Sequence, residues 1–332
     1  MRTFKMKVLT LFSGIGAPER ALTNLGIDYE LVGFCERDKY AAQSYCAVHH
    51  VDPSLNLGDI TQVTPEDLPE QVDLLVFGSP CTSFSRAGKG EGGVKGSGTA
   101  SSLLWNAVDI IEQTKPTLVV WENVSDVLNE KHRPVFDDYL DKMSELGYVS
   151  TYQVLCAKDY GIPQNRKRLF VVSRLDGVLF SFPDPQPLRV TAMDYLEKSV
   201  DASYYVDNPF EKVGDNYHIP QATKKGYIEL KTGICDWSYP NSKLRRGRVQ
   251  GGGTIVPTLT ASKQNLYYLD EWGQTRTLTS LERWRLMGFE DDDFYAAKNT
   301  GVSDAQLYKQ AGNSIVVSVL EAIFKTLIFK NN

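Results

Sequence analysis

Short apolar runs alternate with segments of helical period through the first half of this 332-residue chain. The runs lie at residues 8–12, 30–35, 73–77, 117–121, 150–155 and 169–173. Between them, residues 17–25, 40–48, 103–113 and 135–146 repeat apolar side chains three to four apart. Strand–helix alternation predicts an α/β fold, a doubly wound and mostly parallel sheet with right-handed crossovers. The pattern stops at Pro183, Pro185 and Pro187. From there to about Gln274 the chain is rich in Gly, Tyr, Lys and Asn with short β-like pieces, which predicts a second, smaller, irregular β-rich domain. Helical period returns at 280–287 and 315–329, and the apolar face of the latter should pack back on the first sheet. The first domain is therefore expected to be discontinuous, residues 1–185 plus 300–332, with 186–299 as the second domain and its hinge.

Composition narrows the classes. No apolar run approaches the ~20 residues that span a bilayer, and the first run is too short for a signal-peptide core. Five widely spaced cysteines (35, 46, 81, 156, 235) without a Cys-x-x-Cys pair predict reduced thiols in a cytosol. Cys46, His49 and His50 lack a second ligand cluster, so no metal is expected. The net charge of −5 disfavours nucleic acid, yet seven Lys or Arg against two Asp or Glu fall between Lys224 and Gln250. There Lys243-Leu244-Arg245-Arg246-Gly247-Arg248 precedes three glycines, a basic loop suited to a phosphate backbone.

The ends of the apolar runs carry the chemistry. Phe12-Ser13-Gly14-Ile15-Gly16 reads as a tight strand-to-helix turn that lets a ligand approach bare backbone. A dinucleotide fingerprint needs a third glycine where Glu19 stands, which counts against a nicotinamide or flavin enzyme. Glu36, twenty residues after Gly16, is placed to accept hydrogen bonds from ribose hydroxyls. Cys81 follows Pro80 at the end of the third run, facing the crevice where open α/β sheets bind ligands. A lone cysteine is more often a small buried hydrophobe, and Glu122 alone could be a strand-end acid capping a helix. Residues 88–98 hold six glycines, which predicts a mobile segment able to close beside Cys81.

Taken in order, the first of these turns, Gly78-Ser79-Pro80-Cys81-Thr82-Ser83-Phe84-Ser85, Glu122-Asn123-Val124, Gln164-Asn165-Arg166-Lys167-Arg168 and Gln310-Ala311-Gly312-Asn313-Ser314 resemble the motifs of the DNA (cytosine-5) methyltransferase family. The resemblance runs from about residue 8 to about 325 and is of the prokaryotic or phage type. It implies a Rossmann-like fold that binds S-adenosylmethionine, and methylation of carbon 5 of a cytosine in a short sequence of double-stranded DNA. The base would be flipped out and held as a covalent cysteine adduct. By resemblance, Cys81 is the nucleophile, Glu122 meets ring nitrogen 3, Arg168 holds the 2-oxo group and Arg166 orders the site around them. The cofactor would be held by Phe12, Gly14, Ile15, Gly16, Glu36, Asp59, Ile60, Pro80, Leu103 and Asn313. DNA contacts are expected from Ser85 and Lys89 and from Arg245, Arg246 and Arg248.

The segment from Leu278 to Phe289 resembles the one that organises the family's DNA-reading domain. The family also implies a monomer in the cytoplasm of a prokaryotic or phage-infected cell, with no membrane partner. A cognate restriction endonuclease acting on the same site is the further partner it suggests. Ser79 replaces a more usual aromatic, Thr82 a frequent glutamine and Ala17 a second glycine, but no reacting group is missing. Two alternatives stay open: an RNA cytosine-5 methyltransferase, whose Cys-Phe-Thr signature does not occur here, and a catalytically silent DNA-binding scaffold.

Overall fold

The computed structural model describes residues 5–84, 92–206, 254–262, 266–270, 272 and 274–329, and the strand backbones at 211–213, 216–219, 228–230 and 233–236. In chain order the first elements are β1 (Met6–Leu11), α1 (Ala17–Asn24), β2 (Tyr29–Cys35), α2 (Lys39–His49), β3 (Leu74–Phe77) and α3 (Leu104–Thr114). They continue with β4 (Leu118–Val124), α4 (Arg133–Glu145), β5 (Val149–Cys156), β6 (Gln164–Asn165) and β7 (Lys167–Arg174). Six strands form one sheet in the order β2-β1-β3-β4-β7-β5.

Sequence alternation along these strands sorts side chains onto two faces. Val8, Val76, Val120, Phe170 and Val172 face a core shared with α1. Their neighbours Leu9, Leu75, Phe77, Val119, Trp121, Leu169 and Val171 face a second core built with α3 and α4. Both faces are covered, which is why the strands read as continuous apolar runs rather than alternating ones.

The sheet is mixed, and one strand departs from the alternation's simplest reading. β7 runs antiparallel to both β4 and β5, while β1, β2, β3 and β4 pair in parallel. Only residues 157–166 join β5 to β7, with a single 3₁₀ turn among them. That is too short for a crossover helix, so the chain returns antiparallel. Pairing with β7 also extends β4 through Val124, so Glu122 and Asn123 lie within the strand, opposite Phe170 and Leu169, rather than after it.

Short strands follow: β8 (Tyr205–Val206), β9 (Glu211–Val213), β10 (Asn216–Ile219), β11 (Ile228–Leu230), β12 (Gly233–Asp236), β13 (Val256–Pro257), β14 (Leu266–Leu269) and β15 (Thr275–Thr277). β11-β10-β9 and β12-β14-β15-β8 are antiparallel sheets, and β13 pairs in parallel with β6. Four helices close the chain: α5 (Ser280–Arg285), α6 (Asp291–Asn299), α7 (Asp304–Asn313) and α8 (Val317–Phe324). The stretch Asp304–Phe329 is apolar enough by length and composition to cross a membrane. Here it is broken between α7 and α8, and Leu320, Ile323 and Phe324 are fully buried in the core that contains α1. Core packing accounts for its apolarity.

Candidate active site

The carboxyl ends of β1 to β4 open into one cavity of about 500 Å³. The chain leaves β1 for β2 on one side and returns to β3 on the other, the switch point where such sheets bind ligands. Phe12, Gly14, Glu36, Asp59, Ile60, Pro80, Cys81, Leu103, Glu122, Arg166, Arg168 and Asn313 all line this one cavity.

At one end, Phe12 (φ 53°) and Gly14 (φ 58°) turn the chain out of β1 through left-handed conformations. The Gly14 N–H donates to Glu36 Oε2 at 2.8 Å and the Asp38 N–H to Oε1 at 2.7 Å. A Cβ on Gly14 would meet nothing within 4 Å, so the backbone there is open to a ligand. Burial pushes the Glu36 carboxyl above its ordinary pKa. Asp59 is the contrasting acid, held below its ordinary value by the backbone N–H and hydroxyl of Thr61. Ile60 is buried beside it.

Ile15 and Gly16 lie behind this wall. Ile15 packs in the core. Gly16 (φ 79°) lies against His49, whose Nε2 would stand 2.0 Å from an added Cβ and is 3.0 Å from the Ile15 carbonyl. Burial holds the His49 pKa down to about 4. Glu19 faces the same interior: its Oε1 accepts from Thr10 Oγ1 at 2.8 Å and from the Tyr45 hydroxyl at 2.7 Å. The acid that replaces a fingerprint glycine is thus a buried polar anchor under the turn.

At the other end, Cys81 is half-buried on the turn after β3. Burial and the neighbouring Glu122 push its thiol above the ordinary value, opposed by Arg168 and Arg166. Glu122 Oε1 pairs with Arg168 Nε at 3.0 Å, yet burial still raises its pKa. Ser79, the departure from an aromatic, joins the strand ends: its Oγ accepts from Trp121 Nε1 and Asn123 Nδ2, both at 3.0 Å. A thiol, an acid whose pKa burial raises and a guanidinium therefore face one void.

Arg166, expected to order the site around Cys81 and Glu122, does its hydrogen bonding to backbone carbonyls beside them. Its Nη1 donates to the Leu259 carbonyl at 2.8 Å, and Nη2 to the carbonyls of Ser314 at 2.8 Å and Gly312 at 3.2 Å. Burial, then Arg168, lowers its pKa to about 9. Gly312 has to be glycine because an added Cβ would stand 2.2 Å from the Thr260 carbonyl carbon. Arg283 Nη2 donates to the Thr260 carbonyl at 2.6 Å, and Gln164 Oε1 accepts from the Leu259 N–H at 3.0 Å. Sequence reading missed this 259–261 segment, along with Arg37, Asp38 and Lys309, which also line the cavity. The match Gln164 to Leu259 has no local signature.

Of the glycine-rich stretch, Gly92 and Gly93 are buried and anchored, whereas residues 94–98 are exposed. Gly92 N–H donates to the Ser83 carbonyl at 2.9 Å, Thr99 Oγ1 to the Gly92 carbonyl at 2.8 Å and Trp105 Nε1 to the Gly93 carbonyl at 2.9 Å. Residues 88–91, with Ser85, Lys89, Arg245, Arg246 and Arg248, lie outside the described residues.

Comparison with known proteins agrees with this arrangement. A family model described as C-5 cytosine-specific DNA methylase matches residues 6–329. The chain is 31% identical to the orphan methyltransferase M.SPRI of Bacillus phage SPR, covering 98% of each chain. It is 32% identical to the type II methyltransferase M.HhaI of Haemophilus parahaemolyticus, covering 96% of this chain and 93% of that one. The crystal structure of a DNMT2 mutant from Spodoptera frugiperda shares its fold, with a TM-score of 0.69 at 18% identity over 97% of this chain and 99% of that one. Since the family match takes in the large sheet, the short strands and the closing helices alike, the chain belongs to the C-5 cytosine-specific DNA methylases.

Proposed function

We propose that the protein transfers a methyl group from S-adenosylmethionine to carbon 5 of a cytosine in a short sequence of double-stranded DNA, through a Cys81 adduct on a flipped-out base. The observation that carries this reading is one cavity with Glu36, Asp59 and Ile60 at one end and Cys81, Glu122 and Arg168 at the other. Its residues fit the cofactor. The Glu36 oxygens, oriented by two backbone N–H groups, keep lone pairs for ribose hydroxyls, while Asp59 suits an exocyclic amine and Phe12, Ile60 and Leu103 an apolar ring. Bound there, S-adenosylmethionine supplies an electrophilic methyl group.

The chain's own residues prepare the base. Carbon 5 of cytosine is a poor nucleophile until the Cys81 thiolate adds at carbon 6 and turns the ring into an enamine. Glu122, whose pKa burial raises, hydrogen-bonds ring nitrogen 3 and stabilises the adduct there, and Arg168 donates to the 2-oxo group. A solvent base then takes the carbon-5 proton, and the Cys81 sulfur departs as thiolate to restore the ring. Because burial keeps the Cys81 thiol protonated, its proton must be lost as the base docks. A base stacked in a duplex cannot reach Cys81, so the target must be extruded.

In this reading residues 1–185 with 300–332 carry cofactor and catalysis, and 186–299 read the DNA. The arginines of the 243–248 loop meet phosphates, and the protein works as a monomer on DNA in a bacterial cytoplasm. Relatives carry both orphan and type II names, so a cognate endonuclease is the type II variant of this reading.

Tritiated S-adenosylmethionine incubated with duplex DNA, with RNA or alone should label DNA only, as 5-methylcytosine on nucleoside analysis. Cys81→Ser should lower turnover at least about 10⁴-fold, and only the wild type should form a stable adduct with 5-fluorocytosine in the target site. Label on RNA or on another base, or an adduct on Cys81→Ser, would refute the proposal.

A further inference from the structure

We infer that Ser101 is a positioning residue for Cys81, an inference that rests on Cys81 being the nucleophile. Cys81 lies on a turn after β3, beyond the hydrogen bonds of the sheet. One hydroxyl spans that turn. Ser101 Oγ donates to the Pro80 carbonyl at 2.8 Å and accepts from the Ser83 N–H at 3.2 Å, so it brackets Cys81 and Thr82 from both sides. The Phe84 N–H, donating to the Cys81 carbonyl at 3.0 Å, completes the turn.

Ser101 has no exposed surface, so no water replaces its hydroxyl if it is removed. The Pro80 carbonyl and Ser83 N–H would then lose this partner in a buried setting. Of the small side chains, only Ser and Thr can both donate and accept here. Ser101 belongs to the 3₁₀ turn Ala100–Leu103, and Leu103 lines the cavity. Its own carbonyl oxygen would stand 2.8 Å from a Cβ on Gly93. The residue therefore ties the nucleophile's turn to the cavity wall and to the foot of the glycine-rich stretch. A reacting sulfur displaced by about 1 Å can lose on the order of 10²-fold in rate, so a single hydroxyl at this place governs the chemical step rather than cofactor binding.

The test compares wild type, Ser101→Ala and Ser101→Thr at low temperature, with active sites counted by S-adenosylmethionine titration so that partial unfolding does not imitate a slow step. Ser101→Ala should form the 5-fluorocytosine adduct, and turn over, about 10- to 100-fold more slowly. Its cofactor Kd should shift no more than about fivefold, because Glu36 and Asp59 are untouched even though Pro80 and Leu103 adjoin the lost bond. Ser101→Thr should recover the rate to within about threefold. Adduct formation at the wild-type rate in Ser101→Ala, loss of cofactor binding together with the rate, or a slow Ser101→Thr that still binds cofactor would each overturn the inference. A wild type that forms no adduct would remove the reading of Cys81 itself, and this inference with it.

Discussion

The two ends of the cavity are built on different principles. At the cofactor end, most of the acids' partners are close in sequence: Asp59 is held by Thr61, Asp38 by the N–H groups of Tyr40 and Ala41, and Glu36 by Asp38 and by Gly14 from the preceding turn. At the catalytic end the partners are remote. Glu122 meets Arg168, Asn123 meets Ser79, and Arg166 reaches Leu259, Gly312 and Ser314. Burial is the largest influence on Cys81, Glu122 and Arg166, as it is on Glu36 at the cofactor end, whereas backbone hydrogen bonding dominates at Asp59. A binding surface for a soluble ligand can stay near water and be assembled locally. Groups that must hold unusual protonation states need desolvation, which at the catalytic end the closing of distant segments supplies.

The most damaging way to probe that difference is Gly312→Ala. The new Cβ would press on the Thr260 backbone, which has no rotamer to change. Overpacking of this kind costs about 1–3 kcal/mol. Moving Thr260 also pulls the Leu259 carbonyl from Arg166, whose Nε already has no hydrogen-bond partner among the described residues. Turnover should fall at least about 100-fold, with a lowered melting temperature, while cofactor Kd shifts less than about tenfold. Calorimetry with S-adenosylhomocysteine and a methylation assay measure both. Equal losses would erase the distinction between the ends.

What could be read from the sequence follows the same division. Loops that leave strands carry Phe12, Glu36 and Cys81, and Glu122 sits near the end of β4, and strand periodicity is local, so those residues could be placed on one crevice before any coordinates. The reversal of β7 depended on the ten-residue link before it, and the burial of Ile15 and Gly16 on α2 packing behind them. Glycine was the hardest residue to read. In 88–98 it suggested freedom, yet Gly93 is glycine because a Cβ would stand 2.5 Å from the Phe84 ring. Gly312 is likewise explained only by Thr260, fifty-two positions away. Such close approaches leave no periodic trace.

A milder probe addresses the local end. Glu36→Gln keeps the shape but replaces one acceptor oxygen with an amide donor that would face the Gly14 or Asp38 N–H. Losing one charge-assisted contact costs about 1.5–3 kcal/mol, so cofactor Kd should rise roughly 10- to 100-fold. kcat at saturating cofactor should change little. The pH dependence has a definite sign. Burial raises the Glu36 pKa, so the carboxylate that accepts ribose hydroxyls is lost as pH falls through that raised value. Wild-type affinity should therefore weaken toward acid and level off above, and Glu36→Gln should lack this limb. Titrations across the acid range decide it, and a kcat that falls as Kd rises would show that the ends are coupled.

The smallest effect is expected where the two ends touch. α7 carries Gly312 and Asn313 toward the active site, and Lys309, one turn earlier, pairs with Asp38 at 2.6 Å beside the cofactor end. The ion pair is the visible electrostatic link between remote and local construction, but its side chains are 44% and 31% exposed. Solvent and salt screen such a pair, and exposed pairs are worth about 0.2–1 kcal/mol. Asp38 also keeps its bonds to the Tyr40 and Ala41 N–H groups, so α2 stays capped without Lys309. Gln310 secures α7 independently, through Ser44 and the Tyr40 carbonyl. Lys309→Ala should thus raise cofactor Kd no more than about fivefold, with the difference shrinking as salt is added. A larger loss, insensitive to salt, would mean that the cofactor end also depends on long-range closure, and the contrast between the two ends would have to be redrawn.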